Sequence, residues 1–132
     1  MPAFLISPVA ERDLESILVW TQEHFGEQAR LCYEALLAQG IADVAKEPDR
    51  GGSHHRPEIA DAARTYHLWH SRNPVPVADG RVKNPRQFHL YRTRSDGRVE
   101  IGRVLHDSTD LERQLPEDYR VQGNRDDESS SA

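Results

Sequence analysis

The chain has 132 residues, a single cysteine and a formal net charge of −5. That length holds one domain around one core. The lone Cys32 excludes an internal disulfide and a multi-cysteine metal site. No apolar run approaches the length needed to cross a bilayer, and Met1–Ser7 lacks the basic stretch and apolar core of a secretory signal, so a reducing, cytoplasmic setting is expected.

Hydrophobic residues make up 36% of the chain and the mean hydropathy is −0.78, which is polar for a globular domain. A small core with a polar tail, or a surface that awaits a partner, accounts for this. The charge is unevenly placed. Residues 1–63 carry a net −6, residues 64–106 a net +6, residues 107–116 a net −2 and residues 117–132 a net −3. An anionic partner belongs on the basic half.

Phe4-Leu5-Ile6 reads as a first strand. Ser7 then has the character of an N-cap, with Pro8 at the first helical position and Glu11 and Asp13 near the positive end of the helix dipole. Ala10, Leu14, Ile17, Leu18 and Phe25 form an apolar stripe at helical spacing, and Gly26 ends the helix. A second helix runs from about Glu27 to Glu47, with Ala29, Cys32, Tyr33, Leu36, Leu37, Ile41 and Val44 on its apolar face. The short connection makes the two helices antiparallel neighbours. Pro48 stops the second helix, and residues 48–63 read as loop.

A strand is expected from about Arg64 to His70, a long loop over 71–86, and a strand from Gln87 to Thr93. Ser95-Asp96-Gly97 is a tight turn into a returning strand, Val99 to His106. Thr109 and Glu112 have capping-box spacing for a last helical turn before Pro116. The domain is therefore 1–116, and the serine-ended, acidic tail 117–132 is expected to be disordered. The class is α+β: a β-α-α-β-β-β order, with a helical hairpin packed on a small, mainly antiparallel sheet whose first strand pairs at an edge.

These residues resemble the RelE/ParE superfamily of toxins from type II toxin–antitoxin operons. The resemblance rests on Ser7-Pro8-x-Ala10-x-x-Asp13-Leu14-x-x-Ile17, on Phe25-Gly26 followed by Ala29-Arg30, and on Pro57-Glu58-Ile59 before Ala63-Arg64. It is most specific in Val99-Glu100-Ile101-Gly102-Arg103-Val104-Leu105-His106-Asp107-x-x-Asp110-Leu111, which is similar to the ParE ending. The resemblance covers residues 4–116. It implies the same fold, a toxin that poisons DNA gyrase without chemistry of its own, and a cognate acidic, ParD-like antitoxin that neutralises it. It also implies structural roles for Asp13, Leu14, Gly26, Asp110 and Leu111. The loop 71–86 is longer than the family's usual link, and the acidic balance of the chain argues against nonspecific nucleic-acid binding.

Two alternatives follow from the same superfamily: a RelE-like ribosome-dependent mRNA endonuclease, or a domesticated binding module without toxicity. Metal-free RNA cleavage needs a base, an acid and a cation for the phosphate. RelE-type enzymes supply a Lys/Arg cluster and a late tyrosine, whereas here the basic half holds one lysine, Lys83, and no tyrosine follows the last strand until Tyr119. An RNase would have to use Arg103, His106, His89 and Arg92, although strand alternation puts Arg103 and His106 on opposite faces. His54-His55 and His67-x-x-His70 suggest metal binding, but strand alternation separates the second pair too, so surface histidines and no metal or cofactor are expected. Cys32 reads as a buried structural thiol. Arg64, Arg92, Arg94, Arg103 and His106 are the expected surface for antitoxin or target. Ion pairs from Arg64 and Arg103 to Glu58, Asp107 or Asp110 are compatible with that role.

Overall fold

Backbone hydrogen bonding in a computed structural model, which describes residues 4–72 and 85–108, gives two helices packed on a five-stranded mixed sheet. In chain order these are β1 (Phe4–Ile6), α1 (Pro8–Phe25), α2 (Glu27–Lys46), β2 (Ser53–His55), β3 (Arg64–His67), β4 (Gln87–Thr93) and β5 (Val99–His106). The spatial order is β1-β5-β4-β3-β2. β1 runs parallel to β5, and β2 to β5 form antiparallel neighbours. This is the expected α+β architecture with one strand more.

That extra strand is the first correction. Ser53-His54-His55 lies in the stretch read as loop, yet it pairs with Tyr66, Thr65 and Arg64. A three-residue polar edge strand has no apolar alternation to reveal it; its partner strand makes it. The second correction concerns the end of β3. The chain leaves the sheet after His67 and turns through a 3₁₀ segment, Leu68–Ser71, in which the His67 ring accepts the Trp69 N–H. The turn carries Leu68 and Ser71 into the interior. The loop over 73–84, the proposed cap at Thr109, Asp110, Leu111 and the tail lie outside the described residues.

Ser7 behaves as its sequence context demands. Its Oγ accepts the Ala10 N–H at 3.0 Å and donates to the Gly102 carbonyl at 2.9 Å, which ties the start of α1 to β5. Gly26 takes φ 94°, which side chains disfavour, and its N–H closes α1 on the Gln22 carbonyl. Phe25, placed on the core stripe by spacing, is instead 68% exposed. It is the last residue of an 18-residue helix about 27 Å long.

The main core joins Ala10, Leu36, Leu37, Ile41 and Val44 of the helices to Tyr66, Tyr91, Val99, Ile101 and Val104 of the sheet. A second cluster covers the opposite sheet face, where Ile59, Ala60 and Ala63 pack on Leu90 and Phe88. β5 serves both faces through a bulge: Leu90 pairs with Arg103 but Tyr91 pairs with Ile101, so Gly102 is extra. The insertion resets the alternation, which lets Val99, Ile101 and Val104 all reach the helix-side core.

Candidate functional site: an apolar groove beside an open strand edge

β1 is an edge strand, paired on one side only with β5. Between it and the helical hairpin lies a groove of about 250 Å³. Phe4 and Ile6 come from the strand, Leu14 and Leu18 from α1, and Leu37, Ala38 and Ile41 from α2, with Glu34 at the rim. Phe4 is 44% exposed, so part of the groove wall faces solvent. Unpaired strand N–H and C=O groups beside apolar pockets are the elements that strand addition uses: main-chain bonds for affinity, and pockets for alternate side chains. Apart from Leu14, which the motif marked, the groove residues drew no functional expectation from sequence, because each also reads as ordinary core.

The arginines expected on a binding surface make contacts within the fold, which that expectation allowed. Arg103 bonds Asp13 through Nε at 2.7 Å and Nη2 at 2.9 Å, and both side chains are about 15% exposed. Asp13 is thus a carboxylate partner that sequence did not suggest, and Asp110 lies outside the described residues. The same Asp13 carboxylate accepts the Val104 N–H at 3.0 Å. Asp13 therefore takes the place of a neighbouring strand where β1 has ended, and two motifs 90 residues apart in the chain meet at one point. Arg92 pairs with Glu100 across β4 and β5 at 2.8 Å. Arg94 and Arg98 flank Asp96, and Arg98 lowers its pKa through a side-chain hydrogen bond. Arg64 donates from Nε to Ser53 Oγ, which also meets the Tyr91 hydroxyl. Among the described arginines of 64–106, Arg86, Arg92, Arg94, Arg98 and Arg103 each meet a carboxylate.

The four residues of the conditional nuclease set do not converge. His89 is completely buried on the helix side, with Nε2 3.3 Å from the Leu37 carbonyl. Burial pushes its pKa down to about 4. Arg103 is paired with Leu90, a residue of the opposite face's cluster, and Arg92 lies across from Glu100. His106 is exposed, and its Nδ1 is engaged by Ser108. Fully buried, His89 is closed to a substrate in this arrangement.

The other histidines are rearranged by the early end of β3. His67 and His70 do not fall on opposite strand faces; with His54 they line one cleft, together with Arg56, Thr65 and Asp107. His67 Nδ1 accepts the Trp69 N–H, which leaves Nε2 as the donor to Asp107 at 3.1 Å. Asp107 also holds Arg86 by bonds of 2.9–3.2 Å, and chiefly for that reason its pKa falls to about 2. Among the described residues no group of three or more His, Cys, Asp and Glu is placed to hold a metal ion. Cys32 is half-buried rather than buried, 4.0 Å from Gln28 Nε2.

Among the described residues no helix is long and apolar enough to cross a membrane. No curated protein matches the chain significantly. The family model for the ParE toxin of the type II toxin–antitoxin system parDE matches residues 4–111, which takes in every strand and helix described above. That match covers most of the chain and includes the Asp13 and Arg103 motifs that the fold brings together, and the chain belongs to the ParE toxin family.

Proposed function

We propose that this type II toxin acts by protein binding, poisons DNA gyrase, and is neutralised by a cognate acidic antitoxin that docks in the groove beside β1. The observation that carries the reading is the groove itself: an open strand edge next to an apolar trough, in a chain whose conditional catalytic residues are dispersed. An extended antitoxin segment would add to β1 and place apolar side chains against Leu14, Leu18 and Ile41. The cytoplasm, where gyrase works, is the corresponding location.

Purified protein should inhibit gyrase supercoiling or trap cleaved DNA and leave translating mRNA intact. Codon-phased mRNA cuts with gyrase unaffected would overturn the proposal. For the groove, Phe4→Asp alters an exposed wall position and should weaken antitoxin binding by about tenfold or more, the scale of a desolvated anchor lost from an interface. Unchanged affinity in a folded variant would remove the groove from the antitoxin interface.

A further inference from the structure

The helical hairpin bears a second exposed apolar patch, one residue round α1 from the groove. Val19 is 50% exposed, Trp20 53% and Phe25 68%. The patch is ordered by its own contacts. The His24 ring stacks on Trp20 with centroids 4.2 Å apart, Phe25 meets Trp20 edge-on at 5.7 Å, and the His24 ring is anchored to the Trp20 carbonyl at 2.8 Å. A tryptophan held in place loses little side-chain freedom on binding, which is the character of an interface anchor.

The rim of the patch is acidic. Glu15 and Glu23 lie one turn to either side of Val19 and border shallow depressions on both flanks of it. Neither has an ion pair among the described residues, whereas the nearby Arg30 is taken up by Glu27 and Glu34. With Glu11 and Arg12 added, the exposed side of α1 is net negative. An acidic antitoxin or a nucleic-acid backbone would be repelled here. A second copy joined by a two-fold axis would set Glu15 and Glu23 against their own counterparts.

We infer that Val19, Trp20 and Phe25, rimmed by Glu15 and Glu23, dock a basic, apolar segment of the toxin's target protein, on a face separate from the antitoxin groove. The inference rests on the proposed action by protein binding, and charge complementarity selects the occupant. Antitoxin and target would then be held at two separate places on one small domain.

The direct test uses the full chain carrying Trp69→Phe, in which Trp20 is the sole remaining tryptophan. The probes are a synthetic amphipathic leucine–lysine peptide and its leucine–glutamate counterpart. The lysine peptide should bind saturably with a blue shift of Trp20 emission, and binding should weaken as salt rises. The glutamate peptide, and the Glu15→Lys plus Glu23→Lys variant, should bind about tenfold more weakly or worse. Equal binding of both peptides, or none, overturns the inference. So does self-association that Trp20→Ala abolishes, because a second copy would then be the occupant. In parallel, Trp20→Ala should lose about tenfold or more in gyrase inhibition and keep antitoxin affinity within about twofold. Full inhibition by a folded Trp20→Ala variant also overturns it. If the unsubstituted protein leaves gyrase untouched, the functional proposal falls, and the peptide comparison still decides the patch.

Discussion

Replacing Asp13 by alanine removes three hydrogen bonds at one point: two from the Arg103 guanidinium and one from the Val104 N–H. Breaking a fully buried ion pair costs about 3–5 kcal/mol. This pair keeps some contact with water, so its share falls to roughly 1–2 kcal/mol between that limit and the surface value. The Val104 amide, stripped of its acceptor at the β5 edge, adds about 1–2 kcal/mol. Together these give about 2–4 kcal/mol, a large part of the ~5–15 kcal/mol that holds a domain folded. The melting temperature should drop by about 10–20 °C for a domain of this size. Asp13→Asn retains an acceptor for Val104 but no charge, and should lose about half as much. Urea unfolding of Asp13→Ala, Arg103→Met and the double variant forms a cycle in which the double should be less damaged than the sum, by about 1–2 kcal/mol. A loss below about 1 kcal/mol for Asp13→Ala, or strict additivity, would refute the assignment of Asp13 as a strand substitute.

Other expectations are tied to the core. His89 is neutral in the fold with a pKa pushed to about 4, whereas its unfolded value lies near 6.5. Its contribution is therefore complete above the unfolded pKa and is lost as pH falls from about 6.5 toward 4, by about 3 kcal/mol at the lower end; denaturant titrations across that range should show the slope, and His89→Gln should flatten it. Gly40→Ala would place a Cβ 2.7 Å from Leu68 Cδ2 and 2.9 Å from His89 Nε2. The gain in helix propensity of about 1 kcal/mol is outweighed by overpacking of about 1–3 kcal/mol, so the variant should melt lower; a higher melting temperature would contradict the packing described.

Much of this architecture was legible because its signals are local. The Ser7-Pro8 start of α1, the Gly26 turn and the Asp96-Gly97 hairpin each follow from the chemistry of a few adjacent residues. β2 was illegible because its three polar residues are made a strand by Arg64–Tyr66, not by their own pattern. The partners of the candidate arginines were illegible for a related reason. Counting charge along 64–106 cannot show that Arg103 is answered by Asp13 from another motif, or Arg86 by Asp107. A groove beside the helices could be expected, but its lining could not be named, because Leu14 and Leu18 belong to the same helical stripe as true core positions. Only the shortness of β1 leaves their outer flank uncovered.

The arrangement at the start of α1 also bears on how such a protein survives at high local concentration. Beyond residue 101, β5 runs on for five residues past its parallel partner, and a bare ladder there would be a template for polymerisation. Ser7 occupies the Gly102 carbonyl and Asp13 the Val104 amide, so that stretch is partly closed with side chains. Among the described residues the two border strands, β1 and β2, are three residues each. Borders that short suit capture of one specific peptide and are poor seeds for a fibril.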